Sequence, residues 1–147
     1  AAILGIKTRC SYEGQGAVLL EAAAAEEEKA GYPCSLEGSP LVFDWREMVR
    51  AMVRDLNEGA GRDIIAARFI NTLVDMAVET VKAAGRETGL DRVCLSGGSF
   101  QNMYIMSRLP EKLKAAGFQV YCHCRVSCND EGLALGQLMI AEAKLRG

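Results

Sequence analysis

The sequence is poor in several residues and patterns on which whole classes of protein depend. Its 147 residues include a single histidine, His123, one tryptophan and three prolines, and no apolar run approaches the length of a membrane span. Such a span needs about 18 consecutive apolar residues. The apolar residues 1–6 have neither the basic flank nor the cleavage pattern of a signal peptide. We therefore expect a cytoplasmic protein that has no membrane partner.

Charge of one sign is not concentrated anywhere in the chain. The 17 Lys and Arg residues and 19 Asp and Glu residues give a formal net charge of −2. Nucleic-acid backbones are bound by clustered positive charge, so the sequence disfavours nucleic acid as a partner. Half of the residues are hydrophobic, which is typical of a globular protein with a buried core. No internal repeat or linker interrupts the chain, and we expect one domain over residues 1–147.

The six cysteines do not form a recognisable framework. Long helical patterns and the lack of an export signal favour reduced thiols over a disulfide scaffold. Cys122, Cys124 and Cys128 lie near His123, and thiolates with an imidazole are zinc ligands. Within a strand, however, Cys122 and Cys124 point to one face and His123 to the other. A small zinc protein is therefore the weaker of the possible interpretations.

The first two thirds of the sequence read mainly as helix. Helical patterns cover residues 12–29, 44–59 and 62–84. At the start of the second pattern, Asp44 followed by Glu47 resembles a capping box. The third pattern has an apolar face wide enough to contact several neighbouring elements. Between the first two helices, residues 32–36 and 41–43 predict a short hairpin.

The last third alternates between strands and helices. Residues 92–95 predict a buried strand, and residues 118–123 predict a second one. The helical pattern between them begins near Asn102, and Pro110 should kink it or open a second helix. A further helix follows residues 129–131. This order favours an α/β fold with a small, mostly parallel sheet.

Each predicted strand of this last third is followed by a polar turn. After the first strand, Gly97 and Gly98 allow a tight turn, and the start of the next helix offers free N–H groups to a phosphate. Gly-Gly is also common in ordinary strand-to-helix turns. After the second strand, Asp130 can ligate a cation, although Asn and Asp are equally ordinary helix caps. Parallel strands place both turns at one edge of the sheet, where ligands collect.

Three segments taken together resemble the C-terminal carbamoyltransferase region of the HypF family, whose members mature nickel–iron hydrogenases. Residues 93–102 (VCLSGGSFQN) are similar to its "LSGGVFQN" stretch, residues 127–137 (SCNDEGLALGQ) to "PPNDGGLALGQ", and residues 11–15 (SYEGQ) to "SYEGQ". Residues 44–46 and 66–69 match more loosely. The resemblance covers nearly the whole chain, and three motifs in the right order are more specific than any one of them.

The resemblance implies an actin-like, ribonuclease-H-like (ASKHA) nucleotide-binding fold, of which this chain is the C-terminal lobe. In that family, upstream domains of the same polypeptide cleave carbamoyl phosphate. The carbamoyl group is activated with ATP as an adenylate and passed to a cysteine of a partner hydrogenase maturation protein. Carried over by position, Gly97 and Gly98 meet the phosphates, with Asn102 nearby, and Glu13 and Gly14 lie near the nucleoside.

The same resemblance makes Asp130 a ligand of a divalent metal (zinc, iron or magnesium) that it shares with two histidines. The chain departs from the family here, because the HxxxH pair is missing and Glu131 replaces a usual glycine. One carboxylate holds a metal poorly without its other ligands. We therefore expect the isolated chain to bind nucleotide and metal weakly and not to turn over. The alternative is a non-catalytic ASKHA-type nucleotide-binding or scaffold module.

Overall fold

The computed structural model describes residues 1–38 and 40–146 as a helix-rich α/β structure. Its elements, in chain order, are α1 (Gln15–Ala23), β1 (Ser35–Glu37), β2 (Val42–Asp44), α2 (Arg46–Asn57), α3 (Arg62–Thr88), β3 (Arg92–Leu95), α4 (Met103–Met106), α5 (Leu109–Ala115), β4 (Gln119–Cys122) and α6 (Leu133–Arg146). Two 3-10 turns, Gly98–Gln101 and Asp130–Gly132, precede α4 and α6.

Helix α3 joins two hydrophobic clusters along its 27 residues. In its first half, Ile65 and Ala66 are fully buried and belong to a cluster shared with α1 and α2. In its second half, Val74 and Val78 join a cluster with residues of β3 and α5. The predicted wide apolar face is confirmed, and α3 continues four residues beyond the predicted end to Thr88.

Helix α1 is shorter than the pattern of residues 12–29 predicts. It ends at Ala23, because Ala24 is extended with φ −73° and ψ 129°. The following irregular segment is held by side chains of α3. Asn71 Nδ2 donates to the carbonyl oxygens of Glu28 and Ala30, at 3.0 and 2.9 Å. Contacts to a distant helix thus replace the helical hydrogen bonds that the local alanine-rich sequence favours.

The predicted hairpin is confirmed, while the capping box at α2 is wrong. Strands β1 and β2 pair antiparallel, with Leu36 opposite Phe43. Their connection includes residue 39, which lies outside the described residues. The N-cap of α2 is Trp45. Asp44 instead accepts a hydrogen bond from the Arg46 N–H, and Glu47 pairs with Arg50.

The predicted parallel pairing in the last third is confirmed. Strands β3 and β4 lie side by side, with Leu95 opposite Cys122. The helical stretch between them divides into α4 and α5, and Pro110 lies in the first turn of α5. Strand β3 is half-buried rather than fully buried. Leu95 faces the core, whereas Cys94 is exposed on the other face of the sheet.

Helix α6 has no buried residue among those described. Six large apolar side chains on it are between 47 and 89% exposed: Leu133, Leu135, Leu138, Met139, Ile140 and Leu145. A helix with apolar residues around much of its circumference is ordinarily buried. None of the helices in the described part of the chain is long and apolar enough to cross a bilayer.

Candidate functional site

The two polar turns predicted from the sequence lie next to each other. The backbone N–H of Gly97 donates to the carbonyl oxygen of Cys128 at 2.7 Å. Ser96 Oγ and His123 Nε2 lie 2.9 Å apart, within hydrogen-bond distance. Parallel pairing of β3 and β4 causes this arrangement, because both strands end at the same edge of the sheet. Asp130, two residues after Cys128, therefore belongs to the same end of the molecule as Gly97.

The turn after β3 presents two backbone amides. Gly97 has φ 115° and ψ 159°, a conformation essentially restricted to glycine. Gly98 and Ser99 then open a 3-10 turn, and their N–H groups have no acceptor within the described part of the chain. A Cβ atom on Gly98 would meet nothing within 4 Å. The backbone is thus open to a ligand, and N–H groups of this kind bind anions.

The start of α4 is already occupied by other acceptors. Asn102 caps this helix, since its Oδ1 accepts from the Ile105 N–H at 2.9 Å. The Glu21 carboxylate, which comes from α1, accepts from the N–H groups of Met103 at 2.6 Å and Tyr104 at 3.3 Å. The amides that remain for an anion are therefore those of the 3-10 turn, not those of α4.

A cavity of about 430 Å³ lies between the start of α1, the middle of α3 and the turn after β3. Four of the residues that the resemblance assigns to nucleotide binding line it, namely Glu13, Gly14, Gly98 and Asn102, while Gly97 directly precedes this wall. They come from two segments more than 80 residues apart. Apolar side chains form much of the remaining wall: Val18, Leu20, Phe69, Ile70, Leu73 and Ile105.

The charge of this cavity is negative. Glu13 and Glu21 both line it, and no Lys or Arg does in the part of the chain that the structure describes. Small-molecule pockets are typically apolar with a few polar groups, in the range of roughly 300–1,000 Å³. The apolar wall fits a planar base, and carboxylates and backbone amides can bind ribose hydroxyls. The residues present therefore fit a nucleoside, and the turn amides at its edge fit a phosphate.

The residues around Asp130 do not form a metal site by themselves. Asp130 is exposed and opens the second 3-10 turn, where the side chain of Asn129 accepts from the Glu131 N–H at 3.1 Å. Nowhere in residues 1–38 and 40–146 do three His, Cys, Asp or Glu side chains come together in a group that could hold a metal ion. The chain thus offers one carboxylate, which does not fit a complete divalent-metal site.

The alternative zinc interpretation also lacks a ligand cluster. Cys122 packs against the second hydrophobic cluster, while Cys124 and His123 are exposed. No three potential metal ligands come together around these residues in the part of the chain that the structure describes. All six cysteines are free thiols. A small metal protein built on this segment is therefore not supported.

Sequence reasoning missed Glu21, which touches both walls of the cavity. It lies seven residues, or about two helical turns, after Gly14, so a helical pattern places it near the same face as that glycine. The pattern gives no indication of its partners, because Met103 is 82 residues away. The contact between Ser96 and His123 was missed for the same reason.

Comparisons with known proteins agree with these motifs. The family described as "Carbamoyltransferase, Kae1-like Domain, second subdomain" matches residues 1–137. A protein named "Carbamoyltransferase HypF" from Synechocystis sp. is 30% identical over 95% of this chain and 18% of its own length. A "Carbamoyltransferase HypF homolog" from Cupriavidus necator is 33% identical over 96% of this chain and 38% of its own length.

A solved structure shows the same fold. The crystal structure of full-length HypF in the phosphate- and nucleotide-bound form superposes with a TM-score of 0.88 at 38% sequence identity, covering 98% of this chain and 19% of that one. The chain thus spans between about a fifth and about two fifths of the length of these relatives. Because the family match extends over nearly all of its residues, this chain belongs to the HypF carbamoyltransferase family, as the second subdomain of the Kae1-like domain.

Proposed function

We propose that this chain supplies one wall of the nucleotide site of an ATP-dependent carbamoyltransferase with an ASKHA-type fold. The observation that carries the proposal is the cavity that brings Glu13 and Gly14 together with Gly98 and Asn102. Family membership supports carbamoyl transfer as the reaction class. The similar full-length HypF was crystallised in a phosphate- and nucleotide-bound form, which supports a nucleotide as the ligand.

In this proposal, different residues of the cavity contact different parts of the nucleotide. The apolar wall formed by α3, including Phe69 and Leu73, holds the base by excluding water from it. Glu13 and Gly14 lie near the ribose. The phosphates extend toward Gly97 and toward the free N–H groups of Gly98 and Ser99, which donate to phosphate oxygens. Bound ATP supplies the adenylyl group on which the carbamoyl group is activated.

A metal ion would be bound only at a site that this chain shares with residues outside it. Asp130 contributes one carboxylate close to the Gly97 turn, and the remaining ligands of a zinc, iron or magnesium ion come from elsewhere in the polypeptide. The isolated chain is therefore expected to bind a metal weakly and to show no transferase activity.

An exposed apolar helix supports the proposal that upstream domains of the same polypeptide pack against this chain. It is α6, whose six large apolar side chains are exposed and which has no buried residue among those described. In this arrangement the complete enzyme takes carbamoyl phosphate and ATP, and passes the carbamoyl group to a cysteine of a hydrogenase maturation protein.

Substitution of Gly98 in a full-length HypF-type polypeptide that carries this chain tests the proposal. Gly98→Val should abolish ATP-dependent carbamoyl transfer, because the side chain fills the space next to the free amides. Folding should be unchanged, because a Cβ at this position meets nothing within 4 Å. Gly98→Ala, with a smaller side chain, should retain partial activity.

Transfer rates and thermal unfolding are measured for all three proteins. Unchanged transfer by Gly98→Val would reject the assignment of the turn to the phosphates. If the unsubstituted polypeptide binds ATP but transfers no carbamoyl group, the result favours the alternative, a non-catalytic nucleotide-binding or scaffold module.

A further inference from the structure

We propose that Glu21 is a positioning and specificity residue of this cavity: its carboxylate fixes the two walls relative to each other and keeps phosphate groups out of the interior. The inference rests on the proposed function, because it concerns how a nucleotide lies in the same site. It gives Glu21 as the reason that the nucleoside occupies the cavity while the phosphates remain at the edge, near the turn after β3.

The positioning role follows from the hydrogen bonds of Glu21. Its Oε1 atom accepts from the N–H groups of Met103 and Tyr104, at 2.6 and 3.3 Å, across 82 and 83 residues of sequence. Helix α1, which carries Glu21, begins directly after Gly14, and Met103 directly follows Asn102. A carboxylate that accepts hydrogen bonds from backbone N–H groups makes charge-assisted bonds, which are stronger than neutral ones. Glu21 therefore joins the wall of Gly14 to the wall of Asn102.

The specificity role follows from charge. Glu21 lines the cavity together with Glu13, and the lining in the described residues includes no Lys or Arg. A phosphate placed inside would lie close to two carboxylates, and the described lining offers no cation to offset their repulsion. A neutral nucleoside does not meet this repulsion.

Two substitutions separate these roles from a purely structural cap. Glu21→Gln keeps an oxygen that accepts from Met103 and Tyr104 but removes the charge. Glu21→Ala removes both the charge and the acceptor. Glu111→Gln is the matched control, because Glu111 is an exposed carboxylate that does not line this cavity. It changes the net charge of the chain by the same amount.

The experiment measures dissociation constants of adenosine and of ATP for the isolated chain by NMR titration in metal-free, low-salt buffer. The unsubstituted chain should bind adenosine more tightly than ATP. Glu21→Gln should change the dissociation constant of adenosine by less than about twofold and lower that of ATP by about threefold or more. Added salt should reduce this difference in ATP binding, because it screens the charge of the carboxylate. Glu21→Ala should weaken adenosine binding about fivefold or more and speed hydrogen exchange at Met103 and Tyr104. Glu111→Gln should change neither constant.

The outcomes separate the two roles of Glu21 from the proposed nucleotide site. If the unsubstituted chain binds both ligands but prefers ATP, or if Glu21→Gln binds ATP no better, the specificity role is overturned. If Glu21→Ala keeps the adenosine constant and the slow exchange at Met103 and Tyr104, the positioning role is overturned. If neither the unsubstituted chain nor a full-length HypF-type polypeptide that carries it binds adenosine or ATP at millimolar concentration, the proposed nucleotide site itself fails, and the inference fails with it.

Discussion

Asp55 accepts hydrogen bonds from two side chains that lie far from it in the sequence. The Tyr32 hydroxyl donates to its Oδ2 at 2.8 Å, and Arg68 Nη1 donates to the same atom at 2.9 Å. Arg68 also pairs with Glu28. These three contacts connect the irregular segment after α1 with α2 and α3. The network therefore stabilises the side of the molecule on which α1 and its cavity wall are placed.

Replacing Asp55 should change both the stability and its dependence on pH. The hydrogen bond from Tyr32, and then Arg68, hold the pKa of Asp55 below its ordinary value, although burial opposes them. A carboxyl group with a lowered pKa stabilises the fold above its unfolded-state pKa of about 3.9, and this contribution disappears as the pH falls through the folded-state value. Asp55→Asn should therefore lower the free energy of unfolding at pH 7 by about 1–3 kcal/mol.

Urea unfolding at pH 7, 5, 4 and 3 measures this effect. The difference between Asp55→Asn and the unsubstituted chain should shrink below pH 4, because protonation removes the same interaction from the unsubstituted protein. Glu79→Gln is the control. Glu79 forms an exposed pair with Lys82, and such pairs contribute little. A difference that stays constant from pH 7 to pH 3 contradicts the role given to the ionised Asp55.

At the scale of elements, the packing of α3 on the segment before β4 depends on a glycine. A Cβ atom on Gly85 would lie 2.8 and 2.9 Å from two ring carbons of Phe118 and 3.2 Å from the carbonyl oxygen of Leu90. Alanine normally favours a helix over glycine by about 1 kcal/mol. Here the ring must move instead. Gly85→Ala should thus destabilise the protein by about 1–3 kcal/mol in urea unfolding.

Gly136→Ala in α6 provides the comparison, because a Cβ there meets nothing within 4 Å. It should be neutral or stabilise the protein by up to about 1 kcal/mol, as helix propensity predicts. A similar stabilisation by both substitutions contradicts the close contact between Gly85 and Phe118.

The elements that the sequence predicts well are those with local signals. Short, mostly apolar runs identify β3 and β4, a proline in the first turn identifies the start of α5, and turn residues identify the β1–β2 hairpin. The end of α1 was predicted incorrectly, because distant side chains of α3 decide it. The capping box of α2 was predicted incorrectly because Glu47 pairs with Arg50 instead of reaching back to the start of the helix. In the site, the motifs identified Glu13, Gly14, Gly98 and Asn102 as residues that could lie together. The contact between Glu21 and α4 required the fold.

At the scale of the whole molecule, the chain divides into a part with a core and a part without one. The first part contains α3 and the elements packed on its two halves. The second is α6, which makes few contacts beyond the 3-10 turn before it. Leucines in the two parts have opposite environments: Leu113 in α5 is fully buried, whereas Leu138 in α6 is 68% exposed.

Alanine substitutions at these two leucines should therefore differ in a way that depends on the rest of the polypeptide. In the isolated chain, Leu113→Ala should lower the free energy of unfolding by about 2–5 kcal/mol, and Leu138→Ala should change it by less than about 0.5 kcal/mol. In a full-length HypF-type polypeptide, Leu113→Ala should lower the free energy of unfolding by the same amount, because Leu113 is buried by residues of this chain. Leu138→Ala should there lower the free energy of unfolding by about 1–3 kcal/mol.

Chemical unfolding of both variants in both contexts measures these differences, with loss of the unfolding transition of this chain as the signal. Leu113→Ala is the control, because it changes the core of the chain in both contexts. Leu138→Ala changes the stability only where another part of the polypeptide covers α6. An equally small effect of Leu138→Ala in the long polypeptide contradicts the packing of upstream domains on this helix. A large effect in the isolated chain contradicts the exposed position of α6. The predicted pattern, small in one context and large in the other, requires both that α6 is exposed in the isolated chain and that other domains bury it.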